Sequence, residues 1–197
     1  MNTFFSFVIP LFILMDFIGT IPVFLSLTNQ ISLKERFRIA SFASLTAGLI
    51  VLVFAVSGHY ILRYFELSID AIKVGGGLLL LYIAFEMILS GQSMYGKAAQ
   101  QDNIIVSPLA IPMLAGPGSI TFAMILWLEL PSVEKVYLVG AIVVVSIVGA
   151  IVLSLSVFIH ALLGPALTRG LEKITAVVVS FIAIEMIMRG IKHYFFP

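Results

Sequence analysis

Six apolar runs, most of them long enough to cross a bilayer, dominate this chain: residues 4–27, 39–62, 72–89, 106–128, 136–163 and 174–188. A spanning helix needs about 20 predominantly apolar residues. The breaks between the runs are short and polar, as in "NQISLKERFR", "RYFELSID", "ELPSVEK" and "TRGLEK". Apolar residues are continuous within each run rather than alternating, which favours helices over a β-barrel. Of the 197 residues, 61% are hydrophobic and 11% charged, whereas a soluble domain carries about 25% charged residues. That much apolar surface exceeds what a core of this size can hide. The expected fold is therefore all-α and integral to the membrane, with six transmembrane helices.

A net charge of +1 without a basic stripe argues against a nucleic-acid partner. The lack of cysteine removes disulfides and thiolate metal sites. The opening "MNTFFSF" has no basic region and no small-residue cleavage site, so the first run reads as a retained span. Lys34, Arg36 and Arg38 crowd the first connection, while the N-terminal tail has no basic residue. The other basic residues are nearly balanced, so this hairpin sets the expected orientation, with the N-terminus outside the cytoplasm. The expected location is a cytoplasmic (inner) membrane, multi-pass, with lipid around the apolar faces.

The chain repeats itself. "IAFEMILSG" (83–91) and "IAIEMIMRG" (182–190) are identical at six of nine positions, 99 residues apart. The same offset carries Gly19–Thr20–Ile21 onto Gly118–Ser119–Ile120. This divides the chain into a first repeat, 1–92, a polar linker, 93–102, and a second repeat, 103–197. Three helices per half is an odd number, so the halves would enter the membrane from opposite sides. A 3+3 inverted-topology repeat is a common build for transporters, which place their site near the midplane.

The first helix of each repeat, helices 1 and 4 of the six, contains residues that break helices. "LMDFIGTIPVF" (14–24) places Asp16, Gly19 and Pro22 near the centre of a span, and "SPLAIPMLAGPGSIT" (107–121) carries Pro108, Pro112, Gly116, Pro117 and Gly118. Proline lacks an amide hydrogen and clashes with the preceding turn. Freed backbone groups are tolerated in a bilayer only inside protein or along a wet cavity. Paired interruptions at corresponding positions are the best sequence pointer to a transporter's binding site. A helix that restarts there offers bare amides and a positive dipole end to an anionic group. Thr20, Ser119 and Thr121 add hydroxyls, and an intramembrane acid such as Asp16 suits an ammonium, a cation or a proton. The functional expectation is a secondary transporter of a small polar solute.

At these residues the chain resembles a known family. "DFIGTIPVFLSLT" (16–28) is similar to the DPxGNxP-type first-helix motif of the MarC family, and "AIPMLAGPGSIT" (110–121) closely resembles its second-repeat motif. Phe17 stands where the family usually has Pro, and Thr20 where it has Asn. The resemblance implies a LysE-like carrier of small neutral amino acids, of the glycine and alanine class. It implies a substrate site framed by Asp16, Gly19, Pro22, Gly116, Pro117, Gly118 and Ser119.

Glu86 and Glu185 occupy equivalent repeat positions near span ends, where snorkelling or pairing is the expected role. Glu185 and Arg189 are four apart and can pair on one helix face. Asp16, Glu86 and Glu185 are the candidates for coupling to H+ or Na+. His59 and His160 read as interfacial, Gly75–Gly77 as a close helix contact, and Ser41, Ser44, Thr46, Ser154 and Ser156 as back-bonded or interhelical hydroxyls. No nucleotide-binding loop, cofactor motif or metal cluster is expected, and the chain does not read as an enzyme. Two alternatives stand beside the carrier. One is an intramembrane hydrolase using Ser119 and His160, and the other is a channel or structural subunit.

Overall fold

The computed structural model describes residues 3–28, 31–90, 110 and 113–195. The linker 93–102 and the breakers Pro108 and Pro112 lie outside the described residues. Within them all regular structure is helical: α1 (Thr3–Leu14), α2 (Phe17–Leu27), α3 (Leu33–Tyr64), α4 (Ile69–Ser90), α5 (Pro117–Glu129), α6 (Ser132–Ser154) and α7 (Ser156–Phe195).

Local chemistry sets most of the boundaries. Ser32 caps α3: its Oγ accepts the Glu35 amide at 3.4 Å and donates to Glu35 Oε2 at 2.9 Å. Four residues later, Arg36 donates through Nε (2.9 Å) and Nη2 (2.6 Å) to the Thr28 carbonyl, which closes the end of α2. Pro117 starts α5 at a position where its missing amide costs nothing.

Among the described residues, five stretches are long and apolar enough to cross a membrane: Phe4–Leu27, Leu33–Tyr64, Ile69–Leu89, Ser132–Ser154 and Ala166–Phe195. The expected run 106–128 is represented among the described residues chiefly by α5, which with 13 residues is about 20 Å long. The outward faces remain apolar, with Leu45, Leu49 and Val53 on α3 and Ile174, Phe181 and Met188 on α7 all exposed. That pattern suits a lipid surround.

Three features depart from the sequence reading. The first break falls at Met15 and Asp16, and α2 then runs through both Gly19 and Pro22. Asp16 itself adopts the left-handed conformation (φ 40°, ψ 52°), so the acid is the point of interruption. Interruption is also not confined to helices 1 and 4. The run 136–163 is interrupted at Leu155, and a second kink follows at Gly164, whose φ of 69° is cheap only without a Cβ. Finally, "TRGLEK" is not a connection. It lies inside α7, because Gly164 has already made the turn and the residues after it are free to continue as helix.

Packing joins α3 to α6 and α5, α1 to α6, α2 to α7, and α4 to α7 and α5. Small residues form the inner face of α3, where Ala40, Ala43, Ala47, Gly48, Ala55 and Gly58 are buried. Such residues let backbones approach where lipid supplies no hydrophobic drive between helices. Phe17, the residue that restarts α2, is fully buried and lies against Gly149 of α6, where a Cβ would overlap its ring.

Candidate functional site

Asp16 caps the helix it interrupts. Its Oδ1 accepts the Gly19 amide at 3.1 Å, and its carbonyl accepts both the Thr20 amide (3.1 Å) and the Thr20 hydroxyl (2.8 Å). Gly19 is required for this arrangement, because a Cβ there would overlap the Asp16 carboxylate. One carboxylate oxygen is thus a cap, and no ion pair joins Asp16 to another described residue.

The second break is built differently. The Ala115 amide reaches back five residues to the Ala110 carbonyl (2.9 Å), Gly116 is extended, and α5 begins at Pro117 with no side chain capping its first amides. A helix start of this kind carries a positive dipole end. Gly118 lets it approach α4, since a Cβ would overlap Leu80.

Both breaks face one cavity of about 60 Å³. Asp16 and Thr20 line it from the first, Gly116, Pro117 and Gly118 from the second, and Glu86 from α4. Leu14, Leu80, Ile83, Met87, Met113 and Val179 complete an apolar wall.

The remaining residues singled out from the sequence lie elsewhere. Ser119 is fully buried, and its hydroxyl donates to the Gly116 carbonyl (3.1 Å) and the Leu114 carbonyl (3.3 Å). Thr121 packs its methyl on Gly76 of α4, and Gly77 lies against the backbone of α7 at Ala183 and Ile187. Pro22 is exposed on α2 and Gly19 is buried beneath the Asp16 carboxylate; neither lines the cavity. Glu185 is exposed and pairs with Arg189 at 2.6 Å, as their spacing predicts. The Ser119 hydroxyl is committed to its own backbone, while His160 Nδ1 has no partner among the described residues, so the dyad of the hydrolase alternative is not assembled. Ser154 back-bonds to Ala150 (2.6 Å), whereas the Ser44 and Ser156 hydroxyls find no partner among the described residues.

Two ionisable features are visible only in three dimensions. The first is a network. Lys73 is 7% exposed and bridges Asp70 (3.6 Å) on its own helix to Glu129 of α5, while His193 Nδ1 of α7 meets Asp70 Oδ2 at 2.8 Å. These contacts tie α4, α5 and α7 together at one end. Beside them lies a second cavity of about 640 Å³, lined by Lys73, Glu129, Glu185 and Arg189 and by the apolar Phe122, Ile125, Ile182 and Met186. Leu14, Leu80 and Val179 of the small cavity and these four apolar residues belong to one packed cluster, which therefore borders both cavities. The second feature is Glu172, 5% exposed on α7. It falls in a stretch that reads as a polar connection in the sequence. Its signal is the inward stripe Thr168, Glu172, Ala176 and Val179, at spacings of four, four and three.

Comparison with known proteins agrees with this architecture. A model of the MarC family, described as an integral membrane protein family, matches residues 1–195. A UPF0056 membrane protein of Aquifex aeolicus is 35% identical over 193 residues, covering 94% of this chain and 90% of that protein. UPF0056 membrane protein MJ1677 of Methanocaldococcus jannaschii is 34% identical, with 92% of each chain covered. UPF0056 membrane protein YvbG of Bacillus subtilis is 29% identical, with 97% of each covered. No solved structure gives a significant match. The chain is a multi-pass integral membrane protein, and it belongs to the MarC family.

Proposed function

We propose that this protein is a secondary carrier of small zwitterions, of the glycine and alanine class, with its substrate site in the cavity between the two helix breaks. The observation that carries the reading is the convergence of Asp16 and the uncapped start of α5 on one small cavity. The chemistry of a small amino acid suits both ends. Its ammonium pairs with the Asp16 carboxylate, and its carboxylate meets the amide at Gly118 under the positive end of α5. About 60 Å³ accommodates a solute of few heavy atoms, and Leu80, Met87 and Met113 leave little space for a long side chain.

The repeat supports an alternating mechanism. α3 starts at Leu33 and α6 at Ser132, which is the 99-residue offset of the motif repeat. The corresponding helices pack on each other, α3 on α6 and α4 on α7. In this reading the halves form a 3+3 inverted repeat in an inner membrane, with Arg36 and its basic neighbours cytoplasmic. The packed cluster that contains Leu80 and Ile125 is, in this reading, what parts when the halves rearrange.

The test is uptake of labelled glycine and alanine by purified protein in liposomes. Uptake should saturate, show counterflow and be lost in a folded Asp16→Asn variant. Wild-type flux in that variant would remove Asp16 from the mechanism, and flux that neither saturates nor exchanges would make the protein a channel.

A further inference from the structure

Glu172 is a buried acid that the substrate site leaves unused. It sits on the inward stripe of α7, seven residues and about 10 Å from Val179, which lines the cavity. Only 5% of it is exposed, and no hydrogen bond or ion pair joins it to another described residue. Its helix packs against α2, the helix that Asp16 caps.

The charged surroundings are sparse. α1 and α2 contain no ionisable side chain. On α4, Glu86 lines the cavity and is engaged with a partner of its own, while Asp70 and Lys73 are held by Glu129 and His193 at the far end. α5 adds only Glu129, and α6 adds Glu134 and Lys135 in its first turn. Arg169 and Lys173, the neighbours of Glu172 on its own helix, are exposed.

The charge count then decides. A bound zwitterion adds no net charge, and its single ammonium answers Asp16. Among the described residues Glu172 remains a second carboxylate without a cation, and an ionised carboxylate is very costly to hold unpaired in an apolar interior. Among the described residues no group of three His, Cys, Asp or Glu side chains is arranged to hold a metal ion. A proton needs no coordination shell.

We infer that Glu172 is the proton-carrying carboxylate of the carrier, binding H+ as a neutral acid on one side of the membrane and releasing it on the other, so that solute and proton move together. This rests on the carrier reading above.

The decisive comparison is wild type against Glu172→Gln, a neutral isostere of the protonated acid, in liposomes. With a gradient of one pH unit, one-to-one coupling supports about tenfold accumulation. The variant should lose that accumulation while still exchanging labelled for unlabelled alanine at equal pH. Glu185→Gln should accumulate like wild type. Full accumulation by Glu172→Gln, or accumulation driven by Na+ at equal pH, overturns the assignment.

A second measurement needs no transport. Dicyclohexylcarbodiimide adds to protonated carboxyls in apolar surroundings and rearranges to a stable N-acylurea. Mass spectrometry of the labelled wild-type protein should find the adduct on Glu172, declining as pH rises. No adduct at any pH overturns the assignment even if glycine and alanine prove not to be the cargo, whereas an adduct without amino-acid uptake sinks the cargo and leaves the proton site standing.

Discussion

Asp16 and Gly19 hold each other in place: the carboxylate accepts the glycine amide at 3.1 Å and lies over the position a Cβ would occupy. The acid that interrupts the first span is thereby oriented by the turn it creates. Gly19→Ala should push the carboxylate off its cap. The expected cost is about 1 kcal/mol from the lost cap, and uptake of glycine and alanine should fall to background. Thermal unfolding in detergent and liposome flux, measured on the same preparation, check both parts.

Leu80 lines the small cavity beside the start of α5, 2% exposed and in contact range of Gly118. Leu80→Ala should destabilise by about 2–4 kcal/mol, as large-to-small core changes do. It should also enlarge the small cavity and, if that cavity is the carrier's site as proposed, let branched amino acids such as valine compete with alanine for uptake. Unchanged selectivity in a folded variant would mean that Leu80 does not bound the site.

Lys73 is the buried centre of a network that reaches Asp70 and Glu129. Lys73→Met should leave carboxylates unpaired at some cost in stability. The expected loss is about 1–2 kcal/mol, below the roughly 3–5 kcal/mol of a fully buried pair, because the Glu129 side chain is 42% exposed. Adding Glu129→Gln should recover part of it, which a double-mutant cycle on unfolding midpoints will show.

The Glu185–Arg189 pair is the contrasting case. Both side chains are more than half exposed, so Glu185→Gln should change stability by less than about 0.5 kcal/mol. Unfolding midpoints of the two proteins should coincide.

Gly164 turns the chain before the last span with φ 69°, and a methyl group added there would meet nothing within contact distance. Gly164→Ala therefore isolates a backbone effect and should cost about 1–3 kcal/mol, read as a lower unfolding temperature.

Asp16, Gly116, Pro117 and Gly118 are legible as candidate site residues because each is anomalous where it stands: an acid and helix breakers inside apolar runs. Ser119 and Thr121 look equivalent to them in sequence. A hydroxyl pattern does not record rotation about the helix, and these two turn to their own backbone and to Gly76 instead. Glu172 is hidden for the opposite reason. "TRGLEK" is polar enough to read as a loop, and only the turn at Gly164 makes it part of a helix.

Composition and run length alone determined that this chain is a helical membrane protein, since a bilayer accepts few other solutions for so much apolar surface. The spacing of Glu185 and Arg189 determined their pairing, because it is a property of one helix. Tertiary structure alone decided that the two breaks share a cavity, that Lys73 reaches Glu129, and that Glu172 is buried. Those relationships join residues from different helices, and helix faces are matched only when the bundle packs.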